Sequence, residues 1–252
     1  MAKQSALVRN TLLTLSYRHR PEALDREYPV ILVLLTHSVV GMEEGFRCIE
    51  SLNGENVRLK LWVDDQVASR YAIQEVIRET GSDDLCFEES TALRESAYSH
   101  LLVPVLSYSL ASRVVSLDDR EPFSRTILQA LMRGKKVAGL PLAADPYHPQ
   151  WSRNGFGNAS PLLKQEMKSR LQQLRGYGIE MLEADQVKGW IARSNRLSAG
   201  RNLLSQHDVL SARAKQQQVI DVPPHTIITP LARDLALQYG IELKPIDRGG
   251  ER

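Results

Sequence analysis

From Val30 onward the chain alternates short runs that are almost wholly apolar with longer stretches whose apolar residues recur at helical spacing, a pattern few folds accommodate. The segments 30–35 (VILVLL), 57–63 (VRLKLWV), 84–87, 100–106 (HLLVPVL), 136–140 (KVAGL) and 178–182 (IEMLE) read as strands. Helical periodicity fits 42–53, 66–80, 90–97, 107–117, 122–133 and 160–175 between them. A strand without a polar face must be covered on both sides, which helical crossovers achieve and hairpins do not. With right-handed crossovers the economical topology is an α/β, Rossmann-like, doubly wound and mostly parallel sheet in three α/β/α layers. Ligands in such sheets sit outside the carboxyl ends of the strands, so the loops after Leu35, Val63, Leu106 and Leu140 are where a site is expected.

Four parts are expected along the chain. An N-terminal helical segment (1–27) places Ala6, Leu7, Leu12, Leu13 and Leu15 mostly on one helix face, with Lys3, Arg9 and Asn10 elsewhere. It reads either as a helix covering a sheet edge or subunit contact, or as a detachable docking peptide. The α/β domain follows over 28–193. The stretch 194–224 is polar, with Lys215-Gln216-Gln217-Gln218 and Pro223-Pro224, and reads as a linker or an exposed helix. In the extension 225–252, Thr229 is placed to cap a helix, Pro230 suits its first turn and Gly240 can close it. A small C-terminal strand–helix–strand unit results, and no internal repeat is visible.

Charge and cysteine content narrow the function. Lys and Arg number 32 against 30 Asp and Glu, and a net charge of +2 gives no support to a nucleic-acid partner. The longest apolar run, Val30 to Leu35, is far short of the roughly 20 residues of a membrane span. The first residues lack an apolar core with a cleavage site, so no secretory signal is expected. Cys48 and Cys86 form no CxxC pair, which points to a reducing cytoplasm and to no metal site.

Three loops offer chemistry. In 36–45 (THSVVGMEEG) a helix starting near Met42 would aim its free amides at a guest, and a phosphate is the natural one. Thr36, His37, Ser38 and Gly41 are the candidates there. Gly41 and Gly45 do not complete GxGxxG, and Glu43 and Glu44 satisfy the helix dipole without a ligand, so an ordinary turn is the alternative. In 104–113 (PVLSYSLASR), Pro104 leaves the strand and Ser107, Tyr108 and Ser109 stand where the chain turns into a helix; they serve a polar ligand or simple capping. The loop 141–151 (PLAADPYHPQW) holds His148 and Trp151, and is either a cover for a site or a rigid connection.

The order of these elements resembles the flavoprotein family of homo-oligomeric, flavin-containing cysteine decarboxylases and flavin prenyltransferases over about residues 28–192. PVLSYS (104–109) resembles the family's Pro-Ala-Ser-Ala-Asn-Thr motif through Pro104 and, loosely, Ser109. PLAADPYHPQW resembles its Pro-Ala-Met-Asn loop through Pro141 and Trp151. The resemblance implies FMN held between subunits of trimers or multiples of trimers. Departures are specific. Tyr108 stands where decarboxylases have a substrate-positioning asparagine. STALRESA (90–97) resembles a Glu-Leu-Arg-like stretch preceded by a catalytic histidine, but the histidine position holds Ser90, which does not titrate near neutrality. His37 and His100 remain as substitutes, and Asp64 and Asp65 after the second strand would repel a phosphate.

Residues 222–243 (VPPHTIITPLARDLALQYGIEL) are similar to a segment of proteins encoded with bacterial microcompartments, including glycyl-radical types. The expectation is therefore an FMN-binding flavoprotein, an FMN-dependent oxidoreductase or electron-transfer protein. It would be cytoplasmic or in a microcompartment lumen, with cargo or shell proteins as partners and no assigned catalytic residue. The alternatives are a non-catalytic scaffold that has lost its ligand and a decarboxylase with a relocated base.

Overall fold

Ile31 to Leu35 are fully buried in β1 (Val30–Leu35), with alternate side chains going to opposite faces of a sheet. Each such aliphatic burial contributes roughly 1.5–3 kcal/mol, so this strand alone anchors two layers. The structure, a computed structural model, describes residues 5–18, 21–88, 98–200, 203–204, 209–210, 212–213, 217–222 and 226–245. The chain folds as two units, 1–191 and 192–252.

In the first unit α1 (Ala6–Ser16) and α2 (Pro21–Glu27) precede β1. There follow α3 (Met42–Leu52), β2 (Arg58–Val63), α4 (Asp65–Ala68), α5 (Ile73–Thr80), β3 (Leu85–Cys86), β4 (His100–Val103), α6 (Tyr108–Val115), α7 (Pro122–Met132), β5 (Lys136–Gly139), α8 (Pro149–Arg153), α9 (Pro161–Gly176), β6 (Ile179–Met181) and α10 (Gln186–Gly200). The strands form one parallel sheet in the order β3-β2-β1-β4-β5-β6, so the fold is the expected doubly wound α/β sandwich. Ile31, Val33, Leu35, Leu61 and Val63 share a core with Phe46 and Ile49 of α3, Val76 of α5 and Trp190 of α10. Leu32, Leu34, Trp62, Leu101 and Val103 face Leu110 and Val114 of α6, Ile127 of α7 and Leu171 of α9.

The elements differ from expectation in detail. The helix expected over 66–80 is broken into α4 and α5, and between them the ring of Tyr71 packs edge-on against Phe46 at 5.5 Å. β4 ends at Val103 because Pro104 has no N–H for the ladder. The helix expected over 90–97, with Ser90, lies outside the described residues.

α1 buries none of its residues and is tied down by polar contacts instead. The Leu7 amide donates to Asp83 at 2.8 Å, the Arg9 guanidinium to the carbonyls of Asn53 and Glu55 at 2.7 Å each, and the Asn10 amide to Asp84 at 2.9 Å. Leu7, Val8, Leu12 and Leu15 are all at least half exposed on it.

The second unit corrects two readings. Part of 194–224, taken as linker, supplies β7 (Leu203–Leu204) and β8 (Val219–Val222), ahead of β9 (Ile227–Ile228), α11 (Pro230–Tyr239) and β10 (Glu242–Pro245). The chain runs strand, helical residues, strand and then does so again, with β7 paired to β9 and β8 to β10, all parallel. An internal structural repeat is thus present although the letters hide it. Leu204, Val209 and Ala212 of the first pass share a small core with Ala232, Ala236 and Ile241 of the second. The caps are as read: the Thr229 hydroxyl accepts from the Ala232 amide at 3.2 Å, Pro230 begins α11, and Gly240 takes a φ of 65°.

Candidate functional site at the switch point of the sheet

β1 and β4 are adjacent, yet the chain proceeds from them toward opposite edges of the sheet, and beyond their carboxyl ends lies a cleft of about 190 Å³. Thr36 and His37 reach it from β1, Trp62, Asp64, Asp65 and Gln66 from β2, and Phe87 from beyond β3. Ser107, Ser109 and Arg113 come from α6, and Glu121 and Phe123 from the start of α7.

Local chemistry fixes each group. The buried Thr36 hydroxyl donates to the Val105 carbonyl, lashing the end of β1 to the chain leaving β4. Ser107 is extended and caps α6, its hydroxyl accepting from the Leu110 amide at 3.3 Å and lying 3.3 Å from the Ser109 hydroxyl. Arg113 follows Ser109 by one helical turn on the same face, and its guanidinium forms an ion pair with Glu121, N to O 3.0 Å. The Asp64 amide donates to the Leu35 carbonyl at 3.0 Å, which holds its carboxyl at the end of β2.

The cleft is electrically divided. Burial pushes the Asp64 carboxyl above the usual carboxylate range, with further upward pressure from the charges of Asp65 and Glu121, while the amides of Gln66 and Asp65 pull it back. Burial also lowers His37, aided by Arg70 and opposed by Asp64, so its imidazole is neutral at physiological pH. Two carboxyls, Asp64 and Asp65, thus stand on the β2 side, and hydroxyls with a guanidinium paired to Glu121 on the α6 side.

Of the residues expected at a site, the structure brings Thr36, His37, Ser107 and Ser109 together here. Gly41 lines a separate groove with Glu44, Tyr71 and Arg153. Its φ is 92°, and a Cβ on it would lie 2.9 Å from Leu142 Cδ2, while Met42, Glu43 and Glu44 of the first turn of α3 line the same groove. The Ser38 hydroxyl accepts from the Val40 amide at 3.4 Å, inside its own turn. Pro104 is buried beside Gly45, and Tyr108 is the half-buried first residue of α6; neither lines the cleft. In the proline-rich loop the Trp151 indole donates to the Leu142 carbonyl at 2.9 Å and His148 caps α8. His100 lies at the amino end of β4, away from the cleft, and Ser90 is outside the described residues.

Sequence reasoning missed Trp62, Gln66, Phe87, Arg113, Glu121 and Phe123. Trp62 was hidden inside an apolar strand. Arg113 had a usable signal, its four-residue spacing from Ser109 on the helix after β4. Among the described residues no group of three or more His, Cys, Asp or Glu is placed to hold a metal ion. No helix among them is long and apolar enough to cross a membrane.

No protein-family model matches the chain, and no curated protein matches it. Several solved structures resemble it, among them these three. AnUbiX (PadA1) in complex with FMN and dimethylallyl pyrophosphate is 14% identical with a TM-score of 0.44, over 61% of this chain and 77% of that one. HAL3 from Cryptococcus neoformans is 13% identical with a TM-score of 0.44, over 69% and 99%. A dodecameric FMN-dependent Ubix-like decarboxylase from Escherichia coli O157:H7 is 13% identical with a TM-score of 0.41, over 60% and 78%. At such identities and scores none of these likenesses bears on what this chain binds.

Proposed function

We propose that the protein is an FMN-binding flavoprotein with a redox or electron-transfer role. The observation that carries this reading is the cleft at the β1–β4 switch point, lined by aromatic residues, with Asp64 and Asp65 on one rim and hydroxyls beside the Arg113–Glu121 pair on the other. Its donor set fits the group. Phe87, 39% exposed, offers apolar ring surface for an isoalloxazine, with the buried Trp62 and Phe123 forming the floor behind it, and Gln66 with the Asp64 carboxyl offers the mixed donors and acceptors its polar edge needs. Ser107, Ser109 and Arg113 offer hydroxyl and guanidinium donors to a phosphate, whereas the turn at Gly41 leads into the acidic Glu43 and Glu44.

When bound, FMN supplies electron-transfer chemistry that no side chain here possesses. The chain's own residues orient and shield. Thr36 braces the rim through Val105, Asp64 holds a proton at its carboxyl to higher pH than an exposed aspartate, and neutral His37 offers one ring nitrogen as donor and the other as acceptor. The aromatic wall excludes water from the face it covers.

A volume of about 190 Å³ is below the roughly 300–1,000 Å³ of pockets that enclose a ligand of this size, so the reading includes a homo-oligomer whose neighbouring copy completes the site; its number, a trimer or a multiple of trimers, rests on the resemblance of residues 28–192 alone. Service in a bacterial microcompartment, with cargo or shell proteins as partners, rests on the resemblance of residues 222–243. Asp64 and Asp65 in the cleft favour the competing reading, a scaffold that keeps the fold without its ligand.

Titrating the purified, flavin-free protein with FMN tests the two. Saturable quenching of flavin fluorescence with a shifted band near 450 nm supports the flavoprotein. An oligomer that takes up no FMN leaves the scaffold. Carbon dioxide release from a cysteinyl peptide, lost on His37→Asn, would instead identify a decarboxylase with a relocated base.

A further inference from the structure

Arg113 is the only side chain carrying a full positive charge among the described residues that line the cleft, and it is already engaged by Glu121 at 3.0 Å. We propose that Arg113 is the phosphate-selecting residue of the cleft, and that Glu121 is a stand-in counter-ion which it exchanges for the phosphate of an incoming ligand. The inference deepens the flavin-nucleotide reading and rests on it.

The pair is built for exchange. Its side chains are 41% and 50% exposed, and an ion pair so open to solvent contributes little stability. A phosphate offers the planar guanidinium two parallel charge-assisted bonds in place of one contact. Ser109, one turn before Arg113, and Ser107 beside it present hydroxyls to the same rim. Breaking the pair would not unravel the turn that carries Glu121. That turn is fastened independently by Arg120, whose guanidinium donates to both Asp118 oxygens at 2.8 and 2.9 Å, and by the Ser124 hydroxyl, which donates to the Asp118 carbonyl at 2.6 Å.

The neighbouring charges give the exchange its direction. The negative charges of Glu121 and Asp65 both bear on Asp64. A phosphate entering while Glu121 stays inward would meet all three carboxyls. If Glu121 turns outward, one negative charge leaves as the phosphate arrives, and the guanidinium remains neutralised throughout. A ligand with the same rings and no phosphate gives Arg113 no reason to leave Glu121.

The experiment is a parallel titration of flavin-free, full-length protein with FMN and with riboflavin, followed by flavin fluorescence. The wild type should prefer FMN by about tenfold or more, the scale of one charge-assisted contact. Arg113→Gln should erase that preference by weakening FMN alone, and Glu121→Gln should strengthen FMN several-fold while leaving riboflavin unchanged. Arg113→Gln and Glu121→Gln proteins that both keep the wild-type ratio overturn this inference while the flavin site stands. A wild type that binds neither flavin overturns the site and the inference together. Because the two substitutions act in opposite directions, Glu121→Gln decides the matter even if Arg113→Gln fails to fold.

Discussion

Trp62 and Phe123 meet edge to face with ring centroids 4.7 Å apart, so the end of β2 and the start of α7 are joined through the wall of the cleft itself. Both are nearly inaccessible, at 3% and 8% exposure. Phe123→Ala should destabilise the first unit by about 3–5 kcal/mol, the usual range for an emptied aromatic position. It should also shift the native Trp emission to the red as water reaches the Trp62 indole. Denaturant unfolding followed by fluorescence reads both, and a loss under about 1 kcal/mol would contradict the packing described.

Gly45 has no room for a side chain. A Cβ there would lie 2.4 Å from Val105 Cγ2 and 3.2 Å from the Pro104 carbonyl oxygen, whereas Gly54 has nothing within 4 Å. Gly45→Ala should therefore cost roughly 1–3 kcal/mol through overpacking of α3 against the chain leaving β4. Gly54→Ala should be near neutral. Adding Val105→Ala to Gly45→Ala should recover only part of the loss, because the carbonyl contact remains; thermal unfolding of the four proteins checks the pattern.

His100 makes the fold acid-sensitive. It is 3% exposed, its Nδ1 lies 2.8 Å from the Ser99 hydroxyl, its Nε2 has no partner, and its ring stands edge-on to Trp190 at 5.2 Å. Burial, helped by Lys136 beside it in β5, lowers it to about 4. The unfolded chain takes up the proton near pH 6.5 and the folded chain only near 4, so stability present above 6.5 is lost as pH falls between them, on the order of 3 kcal/mol in all. His100→Gln should flatten that part of the pH profile of unfolding free energy relative to wild type. Parallel profiles would show that His100 does not carry it.

How much of this was legible follows from what each feature depends on. β1 could be read because five consecutive buried residues need only one signal, apolarity. Ser107 and Thr229 could be read as caps because a hydroxyl before a helix acts on its own backbone. The turn at Gly41 could be read as a helix start from its own neighbourhood, whereas the approach of Leu142, about a hundred residues away in the chain, could not. Arg113 and Glu121 meet only because a turn brings the start of α7 back to α6, and no local periodicity encodes that pairing. The pairing of β7 with β9 and of β8 with β10 was hidden because it joins strands about twenty residues apart, which no local periodicity encodes.

Leu117 is the one non-glycine residue with positive φ among those described, at 55°, just past the end of α6. Its amide bonds the Val114 carbonyl at 3.1 Å and the Asp118 amide bonds the Arg113 carbonyl at 2.9 Å, a helix-terminating arrangement that favours glycine. The side chain is 63% exposed and loses little burial if removed. Leu117→Gly should raise stability by about 1 kcal/mol, since the left-handed conformation costs other L residues about 1–2 kcal/mol. An unchanged or lower melting temperature would count against strain at this position.

The crossed pairing of the second unit, β7 with β9 and β8 with β10, bears on how the protein is made. Neither early strand finds its hydrogen-bonding neighbour until the later pass of chain exists, and β8 must wait for residues 242–245. On the ribosome, then, this part of the molecule stays unzipped until residues 242–245 have been made. A premature stop shortly before that point would leave the earlier strands bare, ready to pair with whatever chain is nearest.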